Sequence, residues 1–253
     1  MSESIMQYLD LSGKVALVTG SARGIGMESA RLMAMVGASV VITDVNAEGA
    51  EKTAADFRGK GFDAMSLQVD VSSEESIKKM IAATVEKKGR LDILVNNAGI
   101  LEPTSIPDMT VEKWDRMMNV NLRGVQFCSQ HALPHLIKSG FGSRIVNISS
   151  QGGQLGGFLA GVHYTAAKGG IIALTKAYAR YCAQYQINVN CVAPGLMATD
   201  MTKDRDNQPE TVPLKRNGTA LDAAKAVFFL ATSLGDYLTG ATIDVNGGFY
   251  MRA

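Results

Sequence analysis

Cysteine is scarce in this chain of 253 residues: Cys128, Cys182 and Cys191 lie in separate apolar segments, at spacings that fit neither a disulfide framework nor a metal site. They read as buried free thiols in a reducing compartment. An excess of one charge is also absent. Lys and Arg total 25 against 24 Asp and Glu, a formal net charge of +1, and no long basic run steers the chain toward a nucleic-acid backbone. No apolar stretch approaches the roughly 18 residues that a membrane-spanning helix needs. The first ten residues are acidic and hold no apolar signal core. The expectation is a soluble, cytoplasmic protein with neither nucleic-acid nor membrane partners. Repeats, low-complexity blocks and linkers are missing too, so nothing divides residues 1–253 into more than one domain. At 46% hydrophobic and 19% charged residues, the composition supports a core that folds without staples.

What is present is an alternation of short β-branched apolar runs with longer helical patterns, the signature of a parallel sheet with helices on both faces. The strand candidates are 14–19, 39–43, 64–69, 91–95, 144–148, 188–192 and 242–245, and helices are expected over 25–36, 77–88, 114–137 and 164–185. Gly37 suits the C-terminal cap of the first helix, and Ser72 or Ser73 the N-terminal cap of the second. The long helices carry apolar residues on more than one face, among them Ile171, Leu174, Ala177 and Tyr178, which suits either deep burial or association about a two-fold axis. The least patterned stretch, 199–213, is polar and charged and reads as a short, mobile surface segment.

The first strand candidate runs into Thr19-Gly20-Ser21-Ala22-Arg23-Gly24-Ile25-Gly26, and a helix follows. Small residues there let backbone amides approach a pyrophosphate where the helix dipole favours negative charge. Any tight strand–helix turn uses glycine, but this position between strand and helix adds weight to the dinucleotide reading. Asp44 ends the second strand; its carboxylate can accept hydrogen bonds from adenosine ribose hydroxyls and would repel a 2′-phosphate, which favours NAD over NADP. Arg23, in the glycine loop, could instead meet a phosphate. As a turn former, Asp44 would be a structural residue only.

Tyr164 and Lys168, four apart, share one helical face. An ammonium beside a phenol favours phenolate and lowers the tyrosine pKa from about 10, which makes a general acid/base for an alcohol or carbonyl oxygen. Such a pair also occurs on solvated helices, so its weight comes from its company. Other polar residues earn less. His131 and His135 are four apart, but Pro134 disturbs the turn and no third ligand is evident, so no metal is expected. His163 is expected to face away from the chemistry, Asp244 to be structural, and Trp114 and the 13 methionines to serve core and interface packing.

Taken in order, Thr19 to Gly26, Asp70, Asn96-Asn97-Ala98-Gly99, Asn121, Ser150, Tyr164 with Lys168, Pro194-Gly195 and Gly247-Gly248 resemble the short-chain dehydrogenase/reductase family over essentially the whole chain. The resemblance implies a doubly wound α/β Rossmann-type fold with a seven-stranded parallel sheet. It implies Tyr164 as acid/base, Lys168 on the nicotinamide ribose, Ser150 on the substrate oxygen, and Asn121 holding a water of a proton relay. Asp44 and Val45 would lie at the adenosine ribose, Asp70 and Val71 at the adenine. Asn97, Ala98 and Gly99 would lie along the adenosine side, Pro194, Gly195 and Thr199 at the nicotinamide, and 199–213 over the substrate. Adjacent residues of an extended segment point to opposite sides, so only one of Ser149 and Ser150 faces the site; family alignment favours Ser150. The leading expectation is an NAD(H)-dependent oxidoreductase interconverting a small secondary alcohol and a ketone. The runner-up is similarity to 3-oxoacyl-[acyl-carrier-protein] reductases, which usually prefer NADP and dock an acidic carrier with basic residues. A non-catalytic cofactor sensor or scaffold on the same fold is the rival of another class, but it should have lost the tyrosine, lysine or serine. Relatives commonly form tetramers, so a homotetramer or homodimer is expected.

Overall fold

In the computed structural model, residues 5–157, 160–202 and 209–252 are described. The elements run α1 Met6–Leu9, β1 Val15–Thr19, α2 Gly24–Met35, β2 Ser39–Asp44, α3 Ala47–Gly59, β3 Ala64–Gln68, α4 Glu74–Lys88, β4 Ile93–Asn96, α5 Val111–Met118, α6 Gly124–Ser139, β5 Arg144–Ile148, α7 Gly152–Leu155, α8 Val162–Cys182, β6 Asn188–Pro194, β7 Met197–Ala198, β8 Gly218–Thr219, α9 Ala220–Ala231 and β9 Thr242–Val245. Seven strands form one parallel sheet in the order β3-β2-β1-β4-β5-β6-β9. The order reverses between β1 and β4, where doubly wound sheets open a crevice beyond their strand ends. Central strands such as β1 and β5 are buried at every residue, which explains the apolar run of β1 and the Ile145, Val146 and Ile148 of β5.

Two apolar layers sandwich the sheet. Ala30 and Met33 of α2, Ala54 and Phe57 of α3, and Val227 and Leu230 of α9 cover one face. On the other, Ile77 and Met80 of α4, Cys128 and Leu136 of α6, and Ala179 and Cys182 of α8 cover the second. All three cysteines are buried and free. No helix among the described residues is long and apolar enough to cross a membrane.

The strands over 144–148 and 242–245 fall where expected, and the other strand ends differ by one or two residues. Ser73 rather than Ser72 caps α4, its side chain accepting from Ser76 N. The helix expected as one piece over 114–137 begins at Val111 and is interrupted: a π turn over Asn119–Arg123 separates α5 from α6. Four helices lie outside the expected spans: the single turns α1 and α7, α3, capped by Asn46, and α9, opened by a Thr219–Asp222 capping box. Trp114 is 37% exposed, so it is not a core residue of this chain. Of the segment 199–213, residues 203–208 lie outside the described residues; a tight turn held by Thr202 accompanies its start, and a 3-10 turn, Pro209–Thr211, its end.

Candidate active site

The glycine turn is built by contacts that only small residues permit. A Cβ added to Gly20 would stand 2.7 Å from Ala98 Cα, and one on Gly26 would stand 2.5 Å from Asn97 Nδ2. These two glycines therefore let the turn close on the segment after β4. The Asn97 carboxamide donates to Thr19 O (2.9 Å) and Gly20 O (2.8 Å), and Thr19 Oγ1 accepts from Asn97 N and Ala98 N (3.0 Å each). Ser21 is fully buried and its hydroxyl donates to Val18 O at 2.7 Å, so its side chain holds the turn rather than facing outward.

Gly24 is different. Its φ is +61°, and a Cβ there would meet nothing within 4 Å. No side chain caps the first turn of α2 behind Arg23. Uncapped N–H groups at the positive end of a helix, next to open space, fit a pyrophosphate. Asp44 lies beside this turn: Oδ2 accepts from Ala22 N (3.3 Å) and Oδ1 from Asn46 N (3.1 Å). The Arg23 guanidinium pairs with Asp200 at 3.0 Å, across the start of the 199–213 segment. Val45 is exposed, and Asp70 Oδ1 is taken up in its own turn by Ser72 N (2.9 Å) and Ser72 Oγ (2.7 Å). Val71 packs under Gly124, whose absent Cβ would stand 2.9 Å from Val71 O.

Lys168 and Tyr164 lie on α8, which crosses the end of β5. The Lys168 ammonium is 5.7 Å from the centroid of the Tyr164 ring and donates to Ile148 O at 2.8 Å. It is 4% exposed, and that burial pushes its pKa down to about 8. Asn121, in the π turn, is fully buried; its amide donates to Ile100 O (2.9 Å) and its carbonyl accepts from Ile100 N (2.8 Å). A Cβ on Gly99 would stand 2.6 Å from Asn121 Oδ1 and 3.6 Å from Lys168 Nζ, so Gly99 leaves the narrow gap between them. Both ends of the Asn121 side chain are thus bonded to the backbone of Ile100.

The two serines separate as an extended segment requires. Both line the cavity, but Ser149 Oγ donates to the Lys168 carbonyl at 2.7 Å, whereas Ser150 Oγ accepts from Gly152 N at 3.1 Å. That cavity, of about 620 Å³, brings together Ile25, Asn97, Gly99, Ser150, Tyr164, Lys168, Pro194, Gly195 and Thr199 of the expected set. The described lining also carries apolar Leu101, Leu155, Met197, Met201, Val212 and Phe249, together with polar Gln151, Thr202, Thr211 and Asn246. The charged residues among the described lining are Lys168 and Arg216, and Arg216 is held by Asp222 in two hydrogen bonds (2.7 and 3.2 Å).

A buried chain of two amides and a hydroxyl supports the site from below. Asn96 Nδ2 donates to Asn147 Oδ1 (2.8 Å), and Asn147 Nδ2 to Thr175 Oγ1 (2.9 Å), tying β4 and β5 to α8. Its only signal was two asparagines in otherwise apolar strands. His131 bonds Glu74, and Asp244 bonds Gln154 and Arg252, both away from the cavity. His163 is fully buried and lies outside the cavity lining.

Comparison with known proteins agrees with this geometry. A family model described as "Enoyl-(Acyl carrier protein) reductase" matches residues 20–250. The 3-oxoacyl-[acyl-carrier-protein] reductase FabG of Pseudomonas aeruginosa is 41% identical over 249 residues, covering 96% of this chain and all of that protein. A dehydrogenase/reductase structure from Sinorhizobium meliloti superposes with a TM-score of 0.93 at 36% identity, covering 98% and 99% of the two chains. A gluconate 5-dehydrogenase of Burkholderia cenocepacia, solved with NADP and tartrate, gives 0.91 at 34% identity over 97% and 98%. With the seven-stranded sheet, the glycine turn beside open space and Tyr164 next to Lys168 in one cavity, these matches mean that the chain belongs to the short-chain dehydrogenase/reductase family and is an oxidoreductase of a nicotinamide cofactor.

Proposed function

We propose that this enzyme is a ketoreductase for 3-oxoacyl chains presented as thioesters, using NAD(H). The observation that carries the substrate class is the group of apolar side chains in the cavity's described lining, Leu101, Leu155, Met197, Met201, Val212 and Phe249, where Arg216 is already paired with Asp222. An acyl chain gains by burial against these side chains, at roughly 0.8 kcal/mol per CH₂, whereas a sugar acid's carboxylate would find Arg216, among the described lining, already paired. Similarity to the 3-oxoacyl-[acyl-carrier-protein] reductase supports the same reading.

The chain's residues divide the work as follows. The bound nicotinamide supplies the hydride. Ser150 donates a hydrogen bond to the substrate oxygen and fixes the carbonyl, and Tyr164 gives the proton to that oxygen as negative charge develops on it. Lys168, dry and cationic near neutral pH, favours the phenolate that remains and lies where a ribose hydroxyl could accept from it. Asn121 and Gly99 hold the wall beside Lys168, and the uncapped turn of α2 takes the pyrophosphate.

Asp44 supports NAD(H) rather than NADP(H). Its carboxylate ends β2 beside the glycine turn, and Arg23, the cation of that turn, is paired with Asp200. The relative solved with NADP marks the competing choice. A second reading, oxidation of a small secondary alcohol, is favoured by that same preference for NAD. Assembly into a dimer or tetramer is supported by α8, on which Leu174 and Tyr178 stay half-exposed and Ala177 exposed.

The test is a panel followed at 340 nm with NADH and NADPH: 3-oxoacyl N-acetylcysteamine thioesters of increasing length, small cyclic ketones and keto-sugar acids. The proposal expects kcat/KM to rise with acyl length and to be larger with NADH. Turnover confined to keto-sugar acids, or a preference for NADPH, would overturn the corresponding half.

A further inference from the structure

Ser149 is the buried neighbour of Ser150. Its hydroxyl nevertheless makes a bond of unusual placement, to the backbone carbonyl of Lys168 at 2.7 Å, between residues that are 3% and 4% exposed. That carbonyl lies inside α8, where an ordinary helix position serves one N–H four residues on. A carbonyl oxygen has a second lone pair, and Ser149 takes it. Ser149 is itself fixed to the sheet, its N–H donating to Val192 O at 2.8 Å. One residue earlier, Ile148 O accepts the Lys168 ammonium at 2.8 Å. Consecutive residues at one strand end thus grip the side chain and the main chain of the same lysine.

The approach depends on glycines. A Cβ on Gly153 would stand 2.6 Å from Lys168 C and from Gly169 N, and one on Gly169 would stand 3.2 Å from Gly153 O. With neither Cβ present, the turn after β5 lies directly on the backbone of α8, which brings the strand end close to Lys168.

We propose that Ser149 is a positioning residue: its hydroxyl fixes Lys168, and through the helix Tyr164, against Ser150 at the end of β5. The inference rests on the proposed roles of Tyr164, Lys168 and Ser150. It assigns the two adjacent serines separate tasks, one turned to the substrate and the other to the lysine.

The experiment compares Ser149→Ala, Ser149→Cys, Ser149→Thr and Tyr164→Phe, with cofactor saturating and kcat measured across pH. Ser149→Ala is expected to lose about 10- to 100-fold in kcat, the effect of a misplacement near 1 Å. The alkaline limb of its pH profile for carbonyl reduction should move upward, because the ammonium no longer sits where it favours phenolate. Ser149→Thr, which keeps the hydroxyl, should restore both limb and rate, and Ser149→Cys, a weak donor, should fall between. A structural role alone would lower Tm and rate without moving the limb, and that result overturns the proposal. If Ser149→Ala does not fold, Ser149→Cys decides: an unmoved limb overturns the proposal, and a moved one sustains it. Normal turnover in Tyr164→Phe would instead sink the underlying mechanism.

Discussion

Replacing Lys168 by Met should make the cofactor-free protein more stable while removing its activity. The ammonium is buried within α8, and its pKa falls from an ordinary 10.5 to about 8. At roughly 1.4 kcal/mol per pH unit, holding that charge in the folded state costs about 3 kcal/mol near neutral pH. Methionine is of similar length and fills the space without charge. It leaves Ile148 O without its donor, which costs about 1–3 kcal/mol. The net gain at pH 7 is therefore about 1 kcal/mol, a rise of roughly 2–4 °C in Tm for a chain of this size.

The pH dependence is the sharper readout. Below pH 8 both folded and unfolded wild-type chains hold the lysine proton, and the penalty is complete. Between about 8 and 10.5 the unfolded chain keeps a proton that the folded protein has released, so wild-type stability rises with pH. The variant lacks that contribution. Its advantage should shrink through this window and change sign by its upper end. Unfolding in guanidinium, run on both proteins from pH 7 to 10.5 without cofactor, gives the difference directly. A stability gap that stays constant across that range would refute the claim that Lys168 is held as a buried charge.

Two further expectations follow from the site. Asp44→Ala removes the carboxylate beside Ala22 N, and kcat/KM for NADPH should rise relative to NADH by about tenfold, the equivalent of roughly 1.4 kcal/mol of relieved repulsion; an unchanged ratio would remove Asp44 from cofactor choice. Sedimentation at micromolar concentration should find a dimer or tetramer, and a monodisperse monomer would mean that the exposed side of α8 is not an interface.

Much of the fold was legible because its signals are local. Buried parallel strands are rich in apolar residues, and β1 could be read from that, as could β5 from Ile145, Val146 and Ile148 despite its Arg144 and Asn147. The turn at Gly20 to Gly26 was legible for the same reason, since small residues must lie between strand and helix. Long-range contacts were not legible. The interruption at Asn119–Arg123 accompanies an asparagine whose partner, Ile100, is 21 residues away, and nothing within 114–137 announces that pairing. The helix α3 was not legible because its apolar stripe is weak, with Ala50, Thr53, Ala54 and Phe57 as its buried residues. Strand alternation required Ser149 and Ser150 to face opposite sides, but only the position of Lys168 O shows where Ser149 points. Arg23 looked available for a phosphate until Asp200, 177 residues on, came beside it.

The most direct measurement is turnover of Tyr164→Phe with the best substrate of the panel, taken together with its cofactor affinity. The phenol is the proposed proton donor, and phenylalanine preserves the ring beside the Lys168 ammonium. The expected result is a loss of roughly 10²–10⁴-fold in kcat, with cofactor Kd close to that of the unmodified enzyme. Turnover near the unmodified rate would contradict carbonyl reduction with Tyr164 as the acid.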